Sequence, residues 1–157
     1  MTDITTAFFN AIRANELEEV TQMVAAHPEL VNIRDTRGST PLILATYYNY
    51  LDIAKVLLTN NASIEDKDAS GNTALMGVCF KGFDAIAEFL IAEGAAVNAV
   101  NLSGATALIY AATFNRQSII KMLLDKNADK TVVDQRGNSA LDHAKMQGLD
   151  DLVALLA

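Results

Sequence analysis

Gly38, Gly71, Gly104 and Gly137 stand 33 residues apart, and the residues that follow each one repeat with it. The segments read Gly38-Ser-Thr-Pro-Leu42, Gly71-Asn-Thr-Ala-Leu75, Gly104-Ala-Thr-Ala-Leu108 and Gly137-Asn-Ser-Ala-Leu141. The rest of each unit keeps the same phase: Ile53, Ile86, Ile119 and Leu152 share one position, and Leu57, Leu90, Leu123 and Leu156 another. A fixed period of this length restricts the chain to a stacked-repeat architecture, in which each unit buries its apolar face only against its neighbours.

Local chemistry gives each unit two helices. The first begins at Thr40, Thr73, Thr106 or Ser139, whose hydroxyl can accept from the unsatisfied N–H groups of a first helical turn. Pro41 then occupies the first helical position, where its missing donor costs nothing. Small residues at Ala45, Val78, Ala111 and Ala144 let neighbouring helices approach closely. The second helix carries an i, i+3, i+4 apolar stripe, Ile53, Val56 and Leu57 in one unit and Ile86, Phe89 and Leu90 in the next. Asn61, Gly94 and Asn127 fall where a left-handed residue normally closes a helix.

These residues resemble the ankyrin repeat family. Thr40-Pro41-Leu42 followed by Ala45 matches the family's Thr-Pro-Leu-His-x-Ala signature except at the histidine, whose place is taken by Ile43, Met76, Ile109 and Asp142. Gly94-Ala95 matches the Gly-Ala that follows the family's second helix, and Asn61-Ala62 and Asn127-Ala128 are close variants. Val97-Asn98 fits the start of the family's hairpin. The resemblance spans essentially the whole chain. It implies an all-α repeat solenoid of helix-turn-helix units joined by hairpin-like loops, without the hydrogen bonds that the missing histidines would make.

Five units are expected, at residues 1–34, 35–67, 68–100, 101–133 and 134–157, forming one domain over 1–157. The outer two read as capping units. In the first, no glycine turn precedes the helix, Phe8 stands where Pro41 stands one unit later, and His27-Pro28 replaces the usual cap. The last ends within a second helix. Capped ends point to a monomer. A compact chain of this length would bury about 70% of its unfolded surface, and an elongated stack somewhat less. No run of 18 apolar residues is present, so no membrane span is expected. The opening Met1-Thr-Asp-Ile lacks the basic and apolar regions of a secretory signal. Together with the single cysteine, Cys79, this leads to the expectation of a cytoplasmic protein.

Charge and chemistry narrow the function. A net charge of −7, with no stripe of basic residues, disfavours a nucleic-acid partner. Cys79 sits among small apolar residues and reads as a buried hydrophobe. The two histidines, His27 and His143, lie far apart, and no group of metal-ligand spacing is present. Asp142 and His143 point about 100° apart on a helix and cannot form a dyad. No phosphate-cradling loop occurs. Neither an enzyme, nor a cofactor, nor a bound metal is expected.

What remains is surface. In the ankyrin family the hairpin tips and inner helices line a concave face that binds partner proteins. Carried onto this chain, the first full unit offers Thr36, Arg37, Ser39, Tyr47 and Tyr48, with Lys67 beyond it. The next offers Ser70, Asn72, Phe80 and Lys81. Then follow Leu102, Ser103, Thr113 and Phe114, and finally Gln135 and Arg136. Tyr47 aligns with Phe80, and Tyr48 with Lys81 and Phe114, which predicts an aromatic patch across the second to fourth units. Exposed aromatics beside basic groups have the composition of interface hot spots. Basic residues at its edge would suit a partner segment with acidic and apolar residues. Tyr110 reads as core, and Tyr50 and Phe83 as staples of the inter-helix turn. The function expected is a non-enzymatic protein-interaction module, a scaffold or inhibitor; the alternative is a regulatory subunit that holds a small ligand in the same groove. A pocket of convergent polar groups would favour the ligand, and an aromatic strip the protein.

Overall fold

The computed structural model describes residues 3–157, and helices are its only regular secondary structure. The pairs are α1 (Asp3–Arg13) with α2 (Leu17–Ala26), α3 (Pro41–Tyr47) with α4 (Leu51–Thr59), α5 (Ala74–Lys81) with α6 (Asp84–Ala92), α7 (Ala107–Thr113) with α8 (Gln117–Asp125), and α9 (Ala140–Met146) with α10 (Asp150–Leu156). The first helices pack in order, α1 on α3, α3 on α5, α5 on α7 and α7 on α9, while α2 packs on α4 and α6 on α8. The result is an all-helical repeat solenoid of two layers.

The helix starts follow from the hydroxyl column. Thr40, Thr73, Thr106 and Ser139 each accept from the N–H three residues on. Asp142, at the place of the absent histidine, returns the bond to the Ser139 N–H and completes a capping box. α1 begins earlier relative to the repeat than its counterparts do. Phe8, level with Pro41, therefore lies inside the helix and is fully buried.

Helix ends use left-handed residues twice in each of the three middle units and once in each outer unit. Asn61, Gly94 and Asn127 adopt positive φ after the second helices, and Asn15, Asn49, Gly82, Asn115 and Gly148 do so after the first. The residue after each reaches back five positions, as in Ala62 N–H to the Leu57 carbonyl and Tyr50 N–H to the Ala45 carbonyl. α2 departs from this pattern: His27 has φ −136° and leads into a 3₁₀ turn at Pro28–Asn32. The core is the two aliphatic columns plus the small column, with Ile53, Leu57, Ala45, Val78, Ile86, Leu90, Ala111, Ile119, Leu123 and Ala144 all fully buried. Cys79 is buried among them, and burial pushes its thiol well above the usual range.

The loops between units are tight turns rather than paired strands. Each is closed by two backbone bonds, for example Gly71 N–H to the Asp68 carbonyl and Asp68 N–H to the Asn72 carbonyl. One side chain organises each turn. Asp35, Asp68, Asn101 and Asp134 stand 33 residues apart, and the Oδ1 of each accepts from the N–H groups two and four residues on. Further side chains stitch one unit to the next: Asn32, Glu65 and Asn98 accept from the N–H groups of Ser63, Ala96 and Asp129.

This bonding makes the last two units acid-sensitive. Hydrogen bonds from the Thr131 hydroxyl and N–H hold the Asp129 carboxyl below its ordinary value, and the Ser139 N–H and hydroxyl do the same for Asp142. Burial alone would raise Asp134, but the Asn138 N–H, the His143 ring and the Arg136 N–H outweigh it and leave it lowered. A carboxyl whose folded pKa is depressed contributes stability above its unfolded pKa, about 4, and loses that contribution as pH falls through the folded value. Below about pH 4, amide exchange is therefore expected to rise in α9 and α10 before it rises in α5 and α6. Earlier exchange in the central helices would contradict this assignment.

Candidate protein-binding face

The turns and the C-terminal ends of the first helices meet along one side of the stack. Tyr47 closes α3, Phe80 lies in the last turn of α5, and Phe114 caps α7. The ring centroids of Phe80 and Phe114 are 4.7 Å apart in an edge-to-face contact, nearer than the roughly 10 Å between packed helix axes, because the side chains lean towards each other. Tyr48 packs edge-on against Tyr47 and stacks on Tyr50. Tyr47, Tyr48, Phe80 and Phe114 nevertheless remain 37–45% exposed.

Between Tyr47, Phe80 and Phe114 lies a cavity of about 300 Å³, walled also by Ile43, Asp68, Asn72, Thr73, Ala74, Met76, Gly77 and Tyr110. Asn72 is held in place because its Oδ1 accepts from Asn101 Nδ2 at 2.8 Å and from the Tyr110 hydroxyl at 3.4 Å. Tyr110 is thus half-buried with its hydroxyl spoken for and its ring stacked on Phe114, so it belongs to the cavity wall rather than to the core alone. Gly77 leaves the room. It sits inside α5, where glycine costs about 1 kcal/mol relative to alanine, although a Cβ there would meet only Tyr47 Cδ2, at 3.9 Å. A second cavity adjoins the first, sharing Ile43, Tyr47 and Asp68, and is lined further by Arg13, Asp35, Thr36, Arg37, Ser39, Leu44 and Tyr48.

The remaining sequence-selected residues lie apart from both cavities. Lys67 spends its ammonium on the Val100 carbonyl at 2.8 Å, and Gln135 donates to the Leu102 carbonyl at 2.6 Å. Thr113 bonds back to the Ile109 carbonyl. The Ser70 and Ser103 carbonyls accept from Leu102 and Gln135 N–H in the next turn. Among the described residues, Leu102 is the most exposed of the large apolar side chains, at 71%, and the Arg136 N–H closes the last turn on Asp134. Lys81 places its Nζ 4.8 Å from the Tyr47 ring centroid. Among the wall residues, Asp68 and Gly77 escaped the sequence reading, while Ile43, Thr73, Met76 and Tyr110 entered it only in structural roles. Asp68 was findable, as a member of the 33-residue column of turn acceptors.

Asp142 and His143 do not pair. His143 Nε2 instead meets Asp134 Oδ2 at 2.8 Å, tying α9 to the turn before it. Among the described residues, no group of three or more histidine, cysteine or acidic side chains could hold a metal ion, and no helix is long and apolar enough to cross a membrane.

Paired antiparallel helices, a glycine turn every 33 residues and stacking only between neighbours define a helical-repeat protein. Comparison with known families identifies the repeat. A model described as ankyrin repeats (3 copies) matches residues 61–134, and one described as ankyrin repeats (many copies) matches residues 23–76. The chain belongs to the ankyrin repeat family. It is similar to Ankyrin repeat domain-containing protein 49 of Drosophila melanogaster, at 38% identity over 53 residues, covering 34% of this chain and 25% of that protein. Ankyrin repeats are in general protein–protein interaction modules.

Proposed function

We propose that the chain is a non-enzymatic interaction domain, one unit over 1–157, that binds a partner protein along the face formed by the turns and the first helices, as a scaffold or inhibitor. The observation that carries this reading is the exposed aromatic row Tyr47, Tyr48, Phe80 and Phe114, arranged around a cavity on that face. Aromatic anchors beside a preformed depression are what interface hot spots use. A rigid stack presents them without an ordering cost on its own side. The aromatic row favours a protein over a metabolite because it runs past the cavity to Tyr48, which lies outside the cavity wall, and such a strip suits an extended partner surface.

The test is affinity capture from the native cell extract, comparing wild type with a Tyr48→Glu/Phe114→Glu double variant whose fold is checked by circular dichroism. Both side chains are substantially exposed, so the variant is expected to fold. It is expected to lose the captured protein, with binding weakened by at least about 2 kcal/mol, the range of a hot-spot loss. A partner retained by the folded variant would move the site elsewhere.

A further inference from the structure

The four turns share one device, and one of them leaves it incomplete. In each, Oδ1 holds the turn, and the side chain's second polar atom is free for another bond. At Asn101 that atom, Nδ2, meets the hydroxyl of Tyr110, nine residues on, at 3.0 Å. At Asp134 it meets the ring of His143, again nine residues on, at 2.8 Å. At Asp35 the corresponding helix position is Leu44, and Arg13 of α1 pairs with Oδ2 instead, at 3.1 Å. At Asp68 the position nine residues on is Gly77, which has no side chain. Oδ1 holds the N–H groups of Ser70 and Asn72, and among the described residues no protein group bonds Oδ2. Arg37 borders the adjoining cavity but makes no ion pair with Asp68 within 4.0 Å. The space left by Gly77 is the aromatic cavity itself, and Asp68 is its one charged wall residue.

We propose, building on the binding face above, that this cavity receives a basic side chain, lysine or arginine, from the bound partner. Its aliphatic stem would lie along the apolar wall, and its cation would meet Asp68 Oδ2 among the aromatic rings. Three observations support this. A cation is attracted both to a carboxylate and to aromatic faces, and the Tyr47 ring already draws the Lys81 ammonium to 4.8 Å. A volume of about 300 Å³ is at the lower limit of small-molecule pockets and takes one long side chain. A chain of net charge −7 also attracts basic partners at long range. The occupant then differs from the acidic and apolar segment that the basic edge residues suggest, since Lys67 is tied to Val100 and neither Arg37 nor Lys81 lines this cavity.

The test is a titration of the whole chain, followed by nuclear magnetic resonance, with Nα-acetyl-lysine methylamide, its arginine counterpart and its norleucine counterpart, which has a similar stem and no charge. A basic probe is expected to shift the Phe80 and Phe114 ring signals and the Asn72 side-chain amide, saturating in the millimolar range at constant ionic strength. Norleucine should bind at least about fivefold more weakly, the factor a partly exposed charge contact supplies. Asp68→Asn should remove most of that difference while keeping the turn, because Asn101 already performs the turn role in the next unit. Equal binding of the charged and neutral probes, a preference undiminished in Asp68→Asn, or no saturable shift with either basic probe would each overturn the proposal. If the Tyr48→Glu/Phe114→Glu variant still loses its partner in that event, the binding face stands and only the nature of the anchor changes.

Discussion

Leu90→Ala is expected to lower the stability of the domain by about 2–5 kcal/mol in urea or thermal unfolding, the range for truncating a buried leucine. Leu156→Ala should cost much less. The two residues share a repeat position, and both are essentially buried, at 0% and 2% exposure. They differ in their neighbours. α6 packs on α5 and on α8, whereas the principal packing of α10 is on α9 alone. In a stack whose stability is a sum of unit and nearest-neighbour terms, a defect in the middle weakens interfaces on both sides, and the chain escapes it only by giving up the whole array. A defect in the last helix is relieved by local fraying, so its cost is capped by the free energy of opening that end. Leu57→Ala and Leu123→Ala, at 0% exposure, should fall with Leu90→Ala. Equal losses at Leu90 and Leu156 would show that the helices form one undivided cooperative core.

The same periodicity explains why so much of the fold was legible beforehand. A repeat displays each structural requirement several times, so Thr40, Thr73, Thr106 and Ser139 announce the helix starts together, and Ile53, Ile86, Ile119 and Leu152 the core. Legibility was uneven where a column is chemically mixed: Asn61, Gly94 and Asn127 were read as left-handed helix ends, but the same mixture after the first helices was not. The left-handed residues after the first helices are Asn49, Gly82, Asn115 and Gly148; asparagine and glycine reach that conformation for different reasons, a locally bonding side chain in one and the absence of a Cβ in the other. The turn column is mixed in the same way, since Asp and Asn serve alike when only Oδ1 is used. The hairpin-like loops are tight turns, each closed by two backbone bonds, with the Asp35, Asp68, Asn101 and Asp134 side chains taking up further N–H groups.

The binding face was less legible, for a geometric reason. Sequence alignment of the units shows which residues share a column, as Tyr47 does with Phe80, but not how long side chains lean across the gap between columns. Phe114 aligns with Lys81 and yet contacts Phe80. Lys67 and Gln135 carry groups suited to an interface and spend them on the Val100 and Leu102 carbonyls. Gly77 has no side chain to attract notice, and its effect is visible only as the room it leaves.

Gly71→Ala is expected to be the most destabilising alanine substitution in the glycine turns, at about 2–5 kcal/mol. Gly38, Gly71, Gly104 and Gly137 all sit at φ between +73° and +81°, so each incurs the left-handed strain of about 1–2 kcal/mol. Their surroundings differ. A Cβ at Gly71 would lie 2.9 Å from the Leu102 backbone nitrogen and 3.3 Å from Asn101 Cα, whereas at Gly137 it would meet nothing within 4 Å. Backbone cannot swing aside as a side chain can, and this Leu102 nitrogen also donates to the Ser70 carbonyl, so relief of the clash pulls apart two neighbouring turns. Overpacking of that kind adds about 1–3 kcal/mol. Gly104, with its nearest contact at 3.4 Å, and Gly38, at 3.7 Å, should fall between the extremes. Asparagine separates the two contributions, because it tolerates left-handed φ but still carries a Cβ. Gly137→Asn should be nearly neutral in urea unfolding, while Gly71→Asn should remain clearly destabilising. Equal costs at the two positions would mean that the turns do not press on one another, and that the close approach of residues 71 and 102 contributes nothing to holding the second and third turns together.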